Sequence, residues 1–197
     1  MGSQKLQWCI RKLFLYSCND VTILEVSPLL LRRMKHLELC NCEKLEEVKI
    51  PPKFLFPLIP QFLLLHKVVI QGCYSLSDVT WLIYAPILQT LELRNCIKLR
   101  ECLTGDETNR GTIFSSLTVL RLVKLPHLLR ICPRVLPFPS LRNIEVVGCR
   151  NLEELPFDYN SAKKSLIHGD ERWWNRLHWK DEAIKQVFSS KFVHHAW

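Results

Sequence analysis

The sequence lacks the long apolar run that a transmembrane helix requires. No stretch of about 18 uninterrupted apolar residues occurs in the chain of 197 residues. The richest run, Phe54 to Ile70, is interrupted by prolines, a glutamine, a histidine and a lysine. The start also lacks the apolar segment of a secretory signal peptide, and Leu6 does not fit the myristoylation pattern. We therefore expect no transmembrane segment.

Glycine is scarce, and the phosphate-binding loop that depends on it is missing. The chain has six glycines and no G-x-x-x-x-G-K-[ST] pattern, which excludes a nucleotide site of that kind. The seven histidines have no nucleophile or metal partner at a recognisable spacing. We therefore predict that the protein is not an enzyme and that it has no catalytic residue, no cofactor and no metal site.

A concentrated patch of one charge sign is also missing. The formal net charge is +8, from 27 Lys and Arg against 19 Asp and Glu. The basic residues are spread along the chain, which is typical of a solvated basic surface. We therefore expect protein partners and no nucleic acid.

Cysteine, in contrast, is abundant, with nine residues. An odd count without a signal peptide favours reduced thiols. No C-x-x-C pair occurs, and Cys40 and Cys42, the closest pair, have no histidine at zinc-ligand spacing. A zinc site or a catalytic thiol is thus weakly supported. Burial as small apolar side chains is the simpler interpretation.

The cysteines belong to an internal repeat, L-x-x-L-x-L-x-x-C-x-x-L-x-x-L. Six segments fit it, at offsets of 24, 31, 23, 29 and 24 residues, close to the period of leucine-rich repeats. All 36 leucine and cysteine slots are apolar, although 48% apolar composition alone would fill about 17 of them. The residues in the cysteine slot are Cys18, Cys42, Cys73, Cys96, Leu125 and Cys149. We expect these five cysteines to be buried and stacked in register, contributing mainly volume.

The repeat predicts an α/β leucine-rich-repeat solenoid. The L-x-L step alternates like a short strand, so successive repeats place their strands in a short parallel sheet on the concave side. Leucines at spacing three suit an irregular or 3₁₀ return on the convex side. We place about six repeats in residues 1–160, with insertions near 51–60 and 104–112.

The repeat stops after Phe157, and residues 161–197 are predicted to form a tryptophan-rich helical cap. This segment contains Trp173, Trp174 and Trp179, and Asp170 is a candidate N-cap for a short helix. Terminal segments of a solenoid usually cover its apolar end. A basic, aromatic nucleic-acid platform is a less favoured alternative, because the charges are mixed.

Two stretches carry a resemblance to a known family. One is Gly148-Cys149-Arg150-Asn151-Leu152-Glu153-Glu154-Leu155-Pro156-Phe157, and the other is the Trp173-Trp174-x-x-Leu177-x-Trp179 ending. Together they resemble the C-terminal leucine-rich repeats of plant disease-resistance proteins, in the coiled-coil, nucleotide-binding class. The resemblance spans essentially the whole chain. Since neither a P-loop nor a coiled-coil heptad array is present, we interpret the chain as a severed or truncated sensor domain.

The resemblance implies a non-enzymatic recognition module of an innate-immune receptor. Such a module would sense a pathogen effector or a modified host protein, and would contact the nucleotide-binding module of a full-length receptor. It implies a cytoplasmic location, free or peripheral at the plasma membrane. A leucine-rich-repeat substrate adaptor of a ubiquitin ligase is the alternative, although no F-box-like segment precedes the repeats.

The candidate binding residues are the outward-pointing positions around each L-x-L pair. Their mixture of aromatic side chains and both charge signs suits protein recognition. Phe14 and Tyr16 are the strongest candidates, because aromatic residues are enriched at interfaces. The alternative is that they contact a preceding repeat. The predicted protein-binding residues are Phe14, Tyr16, His36, Glu38, Lys67, Gln71, Thr90, Glu92, Arg94, Arg121 and Glu145.

Overall fold

The computed structural model describes residues 11–50, 62–104 and 113–194. The predicted insertion at 51–60 lies outside these ranges, and of the one at 104–112 only Thr104 lies within them. In chain order the elements are β1 (Lys12–Tyr16), β2 (Ile23–Glu25), α1 (Pro28–Arg33), β3 (His36–Cys40), β4 (Glu47–Lys49), β5 (Lys67–Gln71), a 3₁₀ helix (Thr80–Tyr84), β6 (Thr90–Arg94), β7 (Val119–Val123), β8 (Asn143–Val147), α2 (Tyr159–Lys164), β9 (Leu166–Gly169), α3 (Glu171–Trp174), α4 (Glu182–Ser189) and β10 (Phe192–His194).

One parallel sheet of eight strands dominates the described residues. Its order is β1-β3-β5-β6-β7-β8-β9-β10, so each repeat adds one strand beside the previous one. Every pairing in it is parallel. The predicted parallel sheet of an α/β repeat protein is confirmed. The strands β2 and β4 form a second, two-stranded parallel sheet.

The two leucine positions of each strand face the core. In β3 and β6, Leu37, Leu39, Leu91 and Leu93 are fully buried. The register aligns these positions from strand to strand, so each repeat covers the apolar side of its neighbour. Burial of one leucine side chain contributes about 1.5–3 kcal/mol. The aligned leucines therefore pack one side of the sheet against a single continuous core.

The cysteine slot forms a buried ladder behind the sheet. Cys42, Cys73, Cys96 and Cys149 are buried as predicted, while Cys18, in the first described repeat, is half-buried. Each buried thiol also donates to two carbonyls, one in its own repeat and one in the preceding repeat, such as Cys149 Sγ to Leu122 O at 3.4 Å. The expectation that cysteine contributes mainly volume is therefore too narrow, because the thiols also satisfy turn carbonyls.

The residue after each of the first six sheet strands has a positive φ. These residues are Ser17, Asn41, Gly72, Asn95, Lys124 and Gly148. The first five donate a backbone N–H to the carbonyl of the last residue of the next strand, at 2.7–3.0 Å. Asparagine and glycine adopt this left-handed conformation at least cost. The turn therefore redirects the chain while keeping the hydrogen-bond ladder intact.

The last repeat connects to the tryptophan segment through Asp170. Its side chain caps α3, as predicted, by accepting the Trp173 backbone N–H at 2.8 Å. It also accepts the Gly148 backbone N–H at 3.4 Å. In the earlier turns, the acceptor of the corresponding N–H is a carbonyl of the next strand. Trp173 is buried, and its indole donates to the Leu152 carbonyl at 3.0 Å.

The segment 161–197 was predicted to be helical but also contains β9 and β10. Both strands extend the parallel sheet. They were missed because β9 has only Leu166–Gly169, without the L-x-x-L-x-L pattern that marks the other strands.

Candidate functional site

The outward face of the eight-stranded sheet, which we call the sheet face, carries all the predicted binding residues. In its first six strands it is formed by the first, third and fifth residues, which lie in three columns across the sheet. The first column is Lys12, His36, Lys67, Thr90, Val119 and Asn143. The second is Phe14, Glu38, Val69, Glu92, Arg121 and Glu145. The third is Tyr16, Cys40, Gln71, Arg94, Val123 and Val147. This register is the one that the repeat alignment predicts.

The centre of the sheet face is a network of charged side chains around Glu92. Arg121 Nη1 donates to Glu92 Oε1 at 2.9 Å, and Arg94 Nη2 donates to Glu92 Oε2 at 3.1 Å. Lys67 Nζ lies 3.7 Å from Glu92 Oε1. Arg121 also donates from Nε to Glu145 Oε2 at 3.0 Å. These interactions hold the two arginines in fixed positions on the face.

Glu92 is buried, with 8% of its surface exposed, although it was predicted to contact a partner. Burial by itself raises the pKa of its carboxyl, but the hydrogen bond from Arg94 and the charges of Arg121 and Lys67 outweigh it, so the pKa is lowered. Glu92 therefore stays ionised at neutral pH. Its role in the structure is to position the arginines, whose side chains remain 32% and 39% exposed.

An aromatic group occupies the β1 end of the sheet face. Phe14 and Tyr16 are exposed, as an interface role requires, with 42% and 57% of their surface accessible. Their rings are stacked with centroids 6.4 Å apart, and the Phe14 ring meets His36 edge-on at 5.0 Å. The Tyr16 hydroxyl donates to Glu38 Oε1 at 2.8 Å. The structure therefore brings Phe14, Tyr16, His36 and Glu38 together.

His36 and Cys40 flank this aromatic group in uncharged forms. Burial is the main cause that lowers the pKa of His36, and the charge of Lys67 lowers it further. Together they outweigh the charge of Glu38, which raises it. Its Nε2 is buried without a hydrogen bond and lies 3.5 Å from Glu38 Oε2. Burial raises the pKa of Cys40 to about 11, and its thiol donates to Glu38 Oε1 at 3.5 Å. Both side chains are therefore neutral at pH 7.

The remaining predicted residues are Gln71 and Thr90, which are both half-buried. Gln71 lies on β5, the strand between the two groups, and Thr90 lies at the start of β6, the strand that carries Glu92 and Arg94. Besides Glu92, three outward positions, Val69, Cys40 and Val147, are buried and present little surface. Not all of the eighteen outward positions of the first six strands are therefore accessible to a partner.

Three residues of the sheet face lie beyond the predicted columns: Leu166 and His168 on β9, and Val193 on β10, which pairs with His168 and is 42% exposed. Leu166 and His168 on β9 pair with Asn143 and Glu145, and so extend the first and second columns. Leu166 is 46% exposed. His168 lines a shallow groove of about 210 Å³ together with Arg121 and Glu145. The weak alternation from Ser165 to Gly169 was the only signal of this strand in the sequence.

The thiols of the described residues are poorly suited to chemistry. Burial raises the pKa of Cys96 to about 11 and that of Cys73 and Cys149 to about 12, and it raises the pKa of Cys102 further. Such thiols are protonated at neutral pH, and the thiolate is the reactive form. Within residues 11–50, 62–104 and 113–194, no group of three or more His, Cys, Asp or Glu side chains is placed to hold a metal ion.

The same described ranges contain no helix that is both long and apolar enough to cross a membrane. All eight described cysteines are free thiols. The sheet face is therefore one extended surface with ion-paired side chains at its centre and aromatic side chains at its β1 end. Chemically, it can form hydrogen bonds, ion pairs and aromatic contacts with a partner.

A parallel sheet with one strand per repeat, followed in most repeats by a cysteine turn, is typical of leucine-rich-repeat proteins. The chain is 30% identical over 200 residues to the disease resistance protein RPS5 of Arabidopsis thaliana, covering 94% of this chain and 22% of that protein. It is 31% identical over 202 residues to a probable disease resistance protein of the same plant, covering 96% of this chain and 21% of that protein. It is also 39% identical over 137 residues to another probable disease resistance protein of this plant, covering 66% of this chain and 16% of that protein.

The chain is therefore related by sequence to plant disease resistance proteins, which confirms the resemblance seen in the repeats and the tryptophan ending. It spans about a fifth of the length of the curated relatives it matches. No protein-family model matches the chain. The alternative of a ubiquitin-ligase adaptor finds no support in these relatives, and the coiled-coil subclass stays a prediction.

Proposed function

We propose that the chain is the protein-recognition module of a plant innate-immune receptor and that it binds its partner through the sheet face. The partner would be a pathogen effector or a host protein that an effector has modified. The observation that carries this proposal is the group of hydrogen-bonded, solvent-accessible side chains Tyr16, Arg94 and Arg121 on one face of a parallel sheet, in a chain related to disease resistance proteins. The module would act by binding alone, without catalysis.

Rigidity of the sheet face supports a recognition role. Binding costs less when interface side chains are already ordered. Arg121 is held by two carboxylates on neighbouring strands, and Tyr16 is held by Glu38. A partner that docks on these side chains would therefore lose little side-chain entropy. Arginine and tyrosine are also the residue types that dominate binding energy at protein interfaces.

We extend the proposal to the rest of the receptor. In a full-length protein the repeats would also contact a nucleotide-binding module, and the receptor would belong to the coiled-coil class. Residues 161–197 would act as a cap on the last repeat, supported by the Trp173 indole bond to Leu152. The returns opposite the sheet would form the convex side. Free thiols are typical of a reducing compartment, which supports a cytoplasmic module, free or peripheral at the plasma membrane.

The test is a comparison of two triple variants in binding to plant and pathogen proteins. The face variant carries Phe14→Ala, Tyr16→Ala and Arg94→Ala. The control variant carries Tyr74→Ala, Ile97→Ala and Arg100→Ala, which are exposed side chains of the same types away from the sheet face. Proteins recovered with the wild type are identified by mass spectrometry, purified, and titrated against all three chains by calorimetry.

We expect the face variant to weaken the dissociation constant of a genuine partner at least ten-fold, since truncation of two or three interface anchors typically costs more than 1 kcal/mol each. The control variant should bind like the wild type. Equal binding by the wild type and the face variant would contradict the proposal, as would selective loss in the control variant.

A further inference from the structure

The carboxylate of Glu38 differs from the other two carboxylates of the sheet face in its partners. Glu92 and Glu145 are paired with arginine side chains at 2.9–3.1 Å. Within the described ranges, the only basic side chain in an ion-pair contact with Glu38 is His36, at 3.5 Å, and that imidazole is neutral at pH 7 because its pKa is lowered. Glu38 therefore keeps a negative charge that no cation on the sheet face compensates directly.

The hydrogen bonds of Glu38 leave one of its oxygens open. Both the Tyr16 hydroxyl and the Cys40 thiol donate to Oε1. His36 Nε2, which is buried without a hydrogen bond, lies 3.5 Å from Oε2. Carboxylate oxygens form their strongest hydrogen bonds with charged donors such as guanidinium. Oε2 can therefore accept a charged donor from outside the chain.

Two aromatic rings stand directly beside this carboxylate. Phe14 and Tyr16 are stacked and exposed, and Tyr16 touches Glu38 through its hydroxyl. The face of an aromatic ring attracts a cation that lies within about 6 Å of the ring centroid. Lys12 and Lys67 lie at the start of their strands, four residues from Tyr16 and Gln71, or about 13 Å along the strand. A cation over the Tyr16 ring would therefore lie toward the opposite end of the strands from both lysines, whose charges act on His36.

We propose that Phe14, Tyr16 and Glu38 form a binding site for an arginine side chain of a partner protein. The guanidinium stacks on the exposed rings and donates to Glu38 Oε2, while His36 stays neutral beneath it. The proposal rests on the proposed function, since it names the chemistry of a partner for the same sheet face. It divides that face into a cation-binding end at β1 and an arginine-rich centre at β6 and β7.

The test uses short peptides as probes, so that no natural partner is needed. The probes are capped pentapeptides with glycine at four positions and Arg, Gln or Glu in the centre, titrated into the isotopically labelled chain and followed by NMR. We expect the Arg peptide to shift the signals of Tyr16 and Glu38, and the Gln and Glu peptides to leave them unchanged. Because the chain carries a net charge of +8, general electrostatic attraction would favour the Glu peptide instead.

Two variants locate the site. Glu38→Gln should weaken the Arg peptide about five-fold or more, and Tyr16→Ala by a similar factor, while the matched control Glu25→Gln should have no effect. No shifts from the Arg peptide at millimolar concentration would overturn the inference, and so would shifts that Glu38→Gln does not reduce. The two proposals can fail separately. If the face variant loses its protein partner but the wild type does not bind the Arg peptide, this inference is overturned and the proposed function still stands.

Discussion

Arg121 on β7 donates to the buried Glu92 on β6 at 2.9 Å, from the middle of one strand to the middle of the next. The same guanidinium donates to Glu145 on β8 at 3.0 Å. One side chain thus connects three consecutive repeats across the sheet face. Since the two contacts fix its orientation, the centre of the face is organised before any partner arrives, which is the physical basis of the proposed recognition role.

Replacement of Glu92 by glutamine should destabilise the protein. The amide keeps the shape but removes the charge that holds Arg94, Arg121 and Lys67. Because these cations are partly exposed to water, we expect a loss of about 1–3 kcal/mol in the free energy of unfolding, measured by urea denaturation. Glu25→Gln, at an exposed position of β2, is the control and should change the value by less than about 0.5 kcal/mol. Equal effects of the two substitutions would show that the network contributes nothing.

The same pair of proteins should differ in their response to acid. The pKa of Glu92 is lowered in the folded state from its ordinary value of 4.5, so its contribution to stability is complete above pH 4.5. The contribution is lost as the pH falls through the folded-state pKa. The difference in unfolding free energy between the wild type and Glu92→Gln should therefore be constant from pH 7 to about pH 5 and shrink below pH 4.5. A difference that grows on acidification would contradict this assignment.

The cysteine ladder should resist alkylation in the folded protein. Burial raises the pKa of Cys96 to about 11 and that of Cys73 and Cys149 to about 12, so at pH 8 they are almost entirely protonated and shielded. With iodoacetamide at pH 8, we expect peptide mapping to find these three unmodified, while the half-buried Cys18 reacts first among the cysteines of the ladder. All should react after unfolding in guanidinium chloride. Rapid native labelling of Cys96 would be incompatible with the ladder.

Asp170 should be important for the connection between the last repeat and the tryptophan segment. Asp170→Ala removes the cap of α3 and leaves the Gly148 N–H without its acceptor. We expect a loss of about 1–2 kcal/mol in unfolding free energy and a shift of tryptophan fluorescence toward longer wavelength as Trp173 becomes hydrated. Asp20→Ala, at an exposed turn position, is the control and should leave both measurements unchanged. Identical spectra for wild type and Asp170→Ala would show that the cap does not hold Trp173.

Much of this architecture could be predicted from the sequence because the repeat encodes both the strand and its register. The L-x-L pairs identified β1, β3 and β5 through β8, and the columns of the sheet face followed from their alignment. The strand β9 could not be found in this way. Its four residues include His168 and Gly169, and Gly169 is required because a Cβ there would lie 2.7 Å from the Trp173 ring. That constraint comes from tertiary packing and leaves no periodic signal.

The chemistry of the candidate site was less predictable than its location. The sequence placed Glu38 and Glu92 in the same column with no distinction between them. In the structure, Glu92 accepts hydrogen bonds from two arginines, whereas Glu38 accepts them from the neutral Tyr16 and Cys40. This difference depends on which side chains lie beside each carboxylate on its own strand and on the neighbouring strand. It also depends on burial, which makes Glu92 a positioning residue and leaves Tyr16 exposed.

The most direct test of the central claim is the dissociation constant of a purified protein partner for the Phe14→Ala, Tyr16→Ala, Arg94→Ala variant, compared with the Tyr74→Ala, Ile97→Ala, Arg100→Ala variant. Far-ultraviolet circular dichroism and urea denaturation first establish that both variants are folded. If the sheet face is the recognition surface, the first variant binds at least ten-fold more weakly and the second binds like the wild type. Wild-type affinity in the first variant would contradict the account.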